Sequence, residues 1–192
     1  MSEQLQQFIN LVKTKDVQRT NRFSVQLAVP EAVLNKFNAE YNNDPILNRI
    51  NLTARDTNLP GFSIAASEIH VGFTAYVAYE KSNGDFAITF ICMGDMLEHK
   101  FFTIWREVIF KEDHTVGFYD DYVSEQVAII LKDRMDRDVR KCVATEVWPS
   151  IVTDLTINRE ERDVVGSFTV TFKYRKLKSM DKSNSNAGVV KK

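Results

Sequence analysis

The sequence has few of the features that membrane insertion, secretion or disulfide bonding requires. Its uncharged apolar runs, such as residues 127–131, are only a few residues long, whereas a membrane-spanning helix needs about 20. The first residues, MSEQLQQFINLV, have no basic start and no apolar core, so we expect no secretory signal. Two cysteines, Cys92 and Cys142, make no disulfide framework. We expect both to be reduced thiols in a protein made in the cytoplasm.

Patterns typical of catalysis or metal binding are also scarce. The seven glycines are scattered and form no phosphate-binding loop, and none of the three histidines belongs to an HExxH motif. Asp95 and His99 are four residues apart, but helix capping and solvation explain both. The acidic pairs near residues 112 and 120 lack the ligand spacing of an EF-hand. We therefore predict no catalytic residue, no metal site and no cofactor, and a protein that is not an enzyme.

The net charge of −1 conceals an uneven distribution of charge. Residues 173–192 contain seven basic and one acidic residue, whereas the other 172 residues contain 18 basic and 25 acidic ones. An acidic body is a poor nucleic-acid binder, because such binding relies on neutralising phosphates. A basic tail on an acidic body suits docking onto a neighbouring copy of the chain.

Alternation of apolar and polar residues predicts about seven or eight strands. It is clearest where Phe23, Val25 and Leu27 alternate with polar or small residues, and again from Phe86 to Cys92. An Asn-Gly step in residues 82–85 predicts a hairpin turn. Nine stretches are strand-like, from which we expect the seven or eight strands: residues 23–29, 50–57, 63–71, 73–80, 86–92, 126–131, 140–148, 153–159 and 166–175.

Helical spacing predicts a short N-terminal helix over residues 3–13, a helical segment after Pro30 and a central helix over 96–110. The fold is therefore mostly β (α+β): two packed antiparallel sheets forming a sandwich or barrel with one packed α-helix. Five aromatic residues are expected in the structural core: Trp105, Phe101, Trp148, Phe168 and Phe172.

Five short motifs occur in this order: RTNRFSVQL, LPGFSI followed by VGF, FFTIWREVI, VWPSIVTDLTI and SFTVTFKYR. In order and spacing they resemble the tail tube protein family of contractile-tailed, T-even-type bacteriophages. The similarity covers residues 19–176. The Leu-Pro-Gly turn together with the later Trp-Pro step makes the set moderately specific.

The resemblance implies an assembly as well as a fold. Six copies would form a ring whose strands join into one continuous β-barrel, and rings would stack into a hollow tube that conducts DNA inside a contractile sheath. It implies a homo-oligomer in the virion tail, assembled in the host cytoplasm, with sheath and baseplate proteins as partners and no membrane. A loop from residue 72 to 85 would contact a neighbouring subunit through Gly72, Phe73, Tyr76, Tyr79, Asn83 and Asp85.

The sequence departs from compact tube proteins in a helical insertion at residues 30–50 and an extension beyond residue 176. Both features also resemble baseplate tube-initiator relatives, which form the first rings above the central hub. The expected organisation is an N-terminal arm (1–18), a tube-like β domain (19–176) and a basic C-terminal tail (177–192). Both termini would contact adjacent rings or baseplate proteins.

Two further interpretations remain open: a secretion-type injector tube with a protein cargo, and a monomeric β-barrel that binds a small ligand. The tube interpretation makes a prediction about the lumen. Because phosphate contacts from Lys or Arg would slow DNA, lumen-facing positions should be mostly Thr, Ser, Asn, Gln and acidic residues.

Overall fold

The computed structural model describes residues 3–15, 21–41, 45–70, 72, 74–155 and 165–181. The chain forms thirteen helices and strands over these residues. In chain order they are α1 (Glu3–Lys15), β1 (Phe23–Leu27), α2 (Glu31–Tyr41), α3 (Ile46–Thr53), β2 (Ala54–Thr57), β3 (Phe62–His70), β4 (Thr74–Asn83), β5 (Phe86–Ile91), α4 (Leu97–Ile109), α5 (Tyr119–Tyr122), β6 (Ser124–Lys132), β7 (Asp138–Val152) and β8 (Ser167–Asp181).

Six strands form one antiparallel sheet in the order β1-β6-β7-β8-β5-β2. Over the described residues, β3 and β4 pair with each other as a separate two-stranded hairpin. The mostly β fold with a second sheet and a packed helix, predicted from the sequence, is confirmed. The helices are more numerous than predicted, because the segment after Pro30 forms both α2 and α3.

The large sheet bends where β7 passes Glu146. Ala144 and Val147 both reach the core, and so do their partners on β8, Leu177 and Tyr174. Side chains three residues apart in a straight strand point to opposite faces, so both strands exchange faces between these positions. Glu146 has a φ of +56°, in the left-handed region, and the register is the same on both sides of it. The sheet therefore wraps around the core in two halves that share β7 and β8.

Helix α3 lies between the two edge strands of this wrapped sheet. The Asn51 side-chain oxygen accepts a hydrogen bond of 3.1 Å from the backbone N–H of Leu27 on β1, and α3 continues directly into β2. The predicted strand over residues 50–57 is therefore wrong in its first half. Ile46, Ile50 and Thr53 are buried at helical spacing, and this burial outweighs the local alternation.

The core lies between α4 and the sheet. Phe101, Phe102 and Trp105 of α4 are fully buried, and the Phe102 ring contacts Phe168 and Phe172 of β8. The indole N–H of Trp105 donates a 2.8 Å hydrogen bond to the carbonyl of Tyr122, so its polar atom is also satisfied. The predicted helix over 96–110 is confirmed as α4, one residue shorter at each end.

The structure differs from the prediction at two places where a strand was expected to end in a turn. The chain does not turn back at residues 82–85: β4 continues to Asn83, and β5 then pairs with β8 and β2. Strand β7 runs through Pro149 to Val152, because the missing proline N–H coincides with a register irregularity between Pro149 and Ile151. Of the predicted strand at 153–159, residues 153–155 are not in a strand and 156–159 lie outside the described residues.

Candidate assembly surfaces

The hairpin of β3 and β4 carries most of the residues expected to contact a neighbour. Tyr76 and Tyr79 are exposed to 68% and 67% of their surface. Gly72 has a φ of +73°, a conformation that favours glycine, where the chain passes from β3 to β4. Phe73 lies outside the described residues.

The other two expected contact residues anchor the base of the hairpin. The Asn83 side-chain amide donates a 2.9 Å hydrogen bond to the Arg175 carbonyl on β8, and Asp85 forms a 2.7 Å ion pair with Lys173. The Tyr174 hydroxyl adds a 3.1 Å hydrogen bond to the carbonyl of Gly61. The hairpin is thus attached to the large sheet at one end and extends from it.

Both faces of the hairpin carry exposed apolar side chains. The register places Ile64 and Tyr76 on one face and Ile69 and Val77 on the other, and all four are exposed. An isolated two-stranded hairpin is only marginally stable in water. Such a hairpin gains stability when other surfaces cover it.

Strand β8 has an open edge. Residues 167–172 pair with β5, and residues 170–172 pair with β7 as well, but residues 173–181 pair, among the described strands, with β7 alone. Unpaired backbone groups of this kind are ready to accept another strand. One carbonyl of this edge, that of Arg175, accepts the Asn83 hydrogen bond, and the edge of β1 is likewise partly covered by the Asn51 hydrogen bond.

Threonines cover the solvent-side face of the sheet half formed by β5 and β8. Thr89 and Thr169 face each other with their hydroxyl oxygens 3.0 Å apart. Ser150 on β7 donates a 3.0 Å hydrogen bond to the carbonyl of Thr171, and Thr153 accepts one of 2.8 Å from the N–H of Thr169. The result is a polar, hydrogen-bonded surface on the side opposite the aromatic core.

An acidic groove lies where α2 begins, beside the start of β6. Its volume is about 640 Å³, and its walls include the backbone that follows β1. We use the name acidic groove for the site formed by its four carboxylates, Glu31, Asp120, Asp121 and Glu125.

Two ion-pair clusters were not predicted from the sequence. Arg49 on α3 bonds Glu98, a fully buried carboxylate on α4, at 2.6 Å, and it also bonds Asp95. The hydrogen bond from Arg49 holds the pKa of Asp95 below its usual value. Asp95 is therefore engaged with Arg49 rather than with His99, whose ring packs on Phe168. The sequence does not reveal this cluster, because Arg49 is 46 residues from Asp95 and 49 residues from Glu98 along the chain.

The second cluster lies at the bend of the sheet. Glu146 accepts a 2.9 Å hydrogen bond from Arg175 and one of 3.1 Å from the Tyr119 hydroxyl. The bond from Arg175 lowers the pKa of the Glu146 carboxyl, whereas burial and then the bond to Glu146 raise the pKa of Tyr119. These contacts hold a non-glycine residue in the left-handed region.

The residues expected in the core are placed as follows. Trp105, Phe101, Phe168 and Phe172 are buried, and Trp148 is half-buried with its ring 6.4 Å from that of Tyr122.

Cys92 and Cys142 are free thiols. Within the described ranges, no group of three or more His, Cys, Asp or Glu side chains is arranged to hold a metal ion. No helix in the described part of the chain is long and apolar enough to cross a membrane.

Solved structures similar to this chain come from contractile assemblies. A chain of the anti-feeding prophage baseplate, solved with six-fold symmetry, superimposes with a TM-score of 0.58 at 13% identity, covering 86% of this chain and 96% of that one. The tube-terminating cap of the same particle gives a TM-score of 0.61 at 9% identity, over 86% and 91% of the two chains. At such low identity these likenesses establish the fold alone.

A third similar structure is the sheath–tube complex of an extracellular contractile injection system, PVC, in the extended state. Its TM-score is 0.57 at 10% identity, over 90% of this chain and 97% of that one. A search of curated proteins finds no match. The family model described as phage tail tube protein matches residues 18–180, which is most of the chain. The chain belongs to the phage tail tube protein family.

Proposed function

We propose that this protein is a structural subunit of the inner tube of a contractile phage tail. Six copies form a ring, rings stack, and the passage inside conducts DNA during ejection. One observation carries the proposal: a member of the tail tube family ends its large sheet in an open edge, at residues 173–181 of β8, beside a hairpin exposed on both faces. A neighbouring copy would complete both features.

The threonine-covered face supports a passage through which DNA slides. Hydroxyl groups bonded to one another offer no charge to phosphate, and every phosphate contact with Lys or Arg would strengthen retention. The two basic residues closest to this face on β8 are already engaged, Lys173 with Asp85 and Arg175 with Glu146. We therefore place the threonine face on the lumen side.

A second candidate is a ring that starts the tube at the baseplate. The helical insertion that forms α2 and α3 supports it, as does the similarity of the fold to a baseplate chain solved with six-fold symmetry. In that role the chain would form one or two rings and would not polymerise along the tail. Sheath and baseplate proteins are proposed partners in both cases, and neither role includes an enzymatic activity.

Electron microscopy of the purified protein tests the proposal. Rings with six-fold symmetry, alone or stacked, are the expected result, and tubes that lengthen with protein concentration distinguish the repeating subunit from the initiator. The experiment is repeated with co-expressed baseplate proteins, because an initiator would need them to form its ring. A protein that stays monomeric in both conditions overturns the proposal.

A further inference from the structure

We propose that ring neighbours recognise each other through opposite charges: three lysines on one side of the sheet bind the acidic groove of the next copy. This inference rests on the proposed function and names the surfaces that would make its ring. We use the name lysine face for Lys141 on β7 and Lys176 and Lys178 on β8.

The register places these three lysines together. Lys176 pairs with Thr145 and Lys178 with Val143, and Lys141 lies two residues before Val143 on the same side of β7. Lys176 and Lys178 are exposed, and they lie on the half of β8 that, within the described residues, pairs with a strand on one side only. A partner that adds along this edge would therefore meet the lysine face.

A small apolar patch supports the lysine face. Ala128, Ile130 and Val143 share that side of the sheet and are buried, although they do not belong to the main core. Because these three residues are packed on the same side of the sheet as the lysines, we expect the strands that carry the lysines to be held in a fixed arrangement. Such an arrangement suits a defined partner surface rather than a general attraction to anions.

The acidic groove lies on the other lateral side of the same half of the sheet. It adjoins β1 and β6, whereas the lysine face adjoins β7 and β8. The two sites are separated by about two strand spacings, roughly 10 Å. No ion pair joins them within the described residues. Glu146, on which the charge of Lys176 acts, is already bonded to Arg175 and Tyr119.

Opposite charges on the two lateral sides of the same half of the sheet favour a head-to-tail contact. In such a contact the lysine face of one copy meets the acidic groove of the next, and the repeated operation closes a ring when the rotation allows it. The occupant of the groove is therefore a second copy of this chain. Long-range attraction between the two surfaces would also speed the encounter and make it sensitive to salt.

Paired charge reversals test the contact. One variant carries Lys176→Glu and Lys178→Glu, and the other carries Asp120→Lys and Asp121→Lys. The first variant alone sets acidic groups against the acidic groove, and the second leaves the groove without net negative charge. Each alone should therefore associate at least about tenfold more weakly than the unaltered protein. An equimolar mixture restores opposite charges at every junction of a ring in which the two variants alternate, so rings should return.

Control variants carry the same changes of charge elsewhere on the surface: Arg106→Glu with Lys111→Glu, and Glu40→Lys with Glu112→Lys. They should form rings as the unaltered protein does. Sedimentation velocity and electron microscopy give the readout, and circular dichroism confirms folding. If a reversal unfolds the chain, the neutral variants Lys176→Gln with Lys178→Gln replace it, and association should then depend less on salt.

The outcomes separate the inference from the proposed function. Rings formed by either reversal variant alone, or failure of the mixture to restore rings that the unaltered protein forms, overturn the charge contact and leave the tube function standing. For the neutral variants, an unchanged dependence on salt has the same meaning. An unaltered protein that never associates, with or without baseplate proteins, overturns both.

Discussion

The contact of α4 with the large sheet and the hairpin of β3 and β4 differ in what completes them. Around α4, aromatic rings pack on β8 and the indole of Trp105 finds its hydrogen-bond partner within the chain. In the hairpin, apolar side chains lie on both faces and remain exposed. We call the contact of α4 with the large sheet the finished region, because contacts within the chain bury its apolar residues. The hairpin is the unfinished region, because its apolar residues would be covered only by another molecule. Stability should therefore reside in the first region and assembly in the second.

Replacing the central indole should have the largest effect on stability. Trp105→Ala leaves a large cavity and removes the bond to the Tyr122 carbonyl, so the free energy of unfolding should fall by about 3–5 kcal/mol. Chemical denaturation monitored by circular dichroism measures it. The matched control is Phe118→Ala, an aromatic residue that is 77% exposed, which should cost less than about 0.5 kcal/mol. Similar losses for the two variants would contradict the division between the regions.

The buried ion pair should have the next largest effect. The Glu98 side chain is fully buried and Arg49 is 22% exposed, so Glu98→Gln should cost about 2 kcal/mol, between the values typical of exposed and buried pairs. Glu107→Gln on the same helix is the control, because Glu107 and its partner Lys36 are both 40% exposed. Its cost should stay below about 1 kcal/mol. Equal costs would show that burial does not strengthen the Arg49 pair.

The sequence predicts the finished region better than the unfinished one, and local signals explain why. Helix α4 follows from apolar spacing and β8 from alternation, since each pattern reports burial within a few residues. The second half of α3 is predicted as a strand because Ile50 fits both a strand and a helix, and the choice depends on packing against residues distant in sequence. The bend at Glu146 was missed for the same reason: Arg175 and Tyr119, which hold it, are 29 and 27 residues away. For the assembly surfaces, the hairpin tyrosines were expected from the family resemblance and stay a prediction, whereas the open edge of β8 does not follow from the sequence because it depends on where β5 ends.

Acid should weaken the finished region through Asp95. Its folded pKa lies below the ordinary 3.8 because Arg49 donates hydrogen bonds to the carboxylate. The unfolded chain therefore binds this proton first, so the contribution of Asp95 is complete above its unfolded pKa and is lost as the pH falls through the folded value. Melting temperatures between about pH 6 and pH 2 should decline less steeply in Asp95→Asn than in the unaltered protein.

Glu112→Gln, which changes an exposed carboxylate in the turn after α4, serves as the control for this titration. Its melting temperature should change with pH as that of the unaltered protein does, over the same pH range. Because Asp95 lies at the surface, the effect should be smaller than the effect of Glu98→Gln. If the melting temperature of Asp95→Asn falls with decreasing pH as steeply as that of the unaltered protein, Arg49 does not stabilise the fold through Asp95.

The hairpin should show the smallest change in stability and a complete change in assembly. Tyr76→Ser together with Tyr79→Ser removes two exposed rings, so the free energy of unfolding should shift by no more than about 0.5 kcal/mol. Ring formation, in contrast, should be lost, because these rings supply apolar area that a neighbour would cover. The matched control, Phe110→Ser, removes a ring that is 56% exposed and lies outside both the hairpin and the acidic groove, so it should leave rings intact. A double variant that melts earlier but still forms rings would place the tyrosines in the finished region and reverse the comparison.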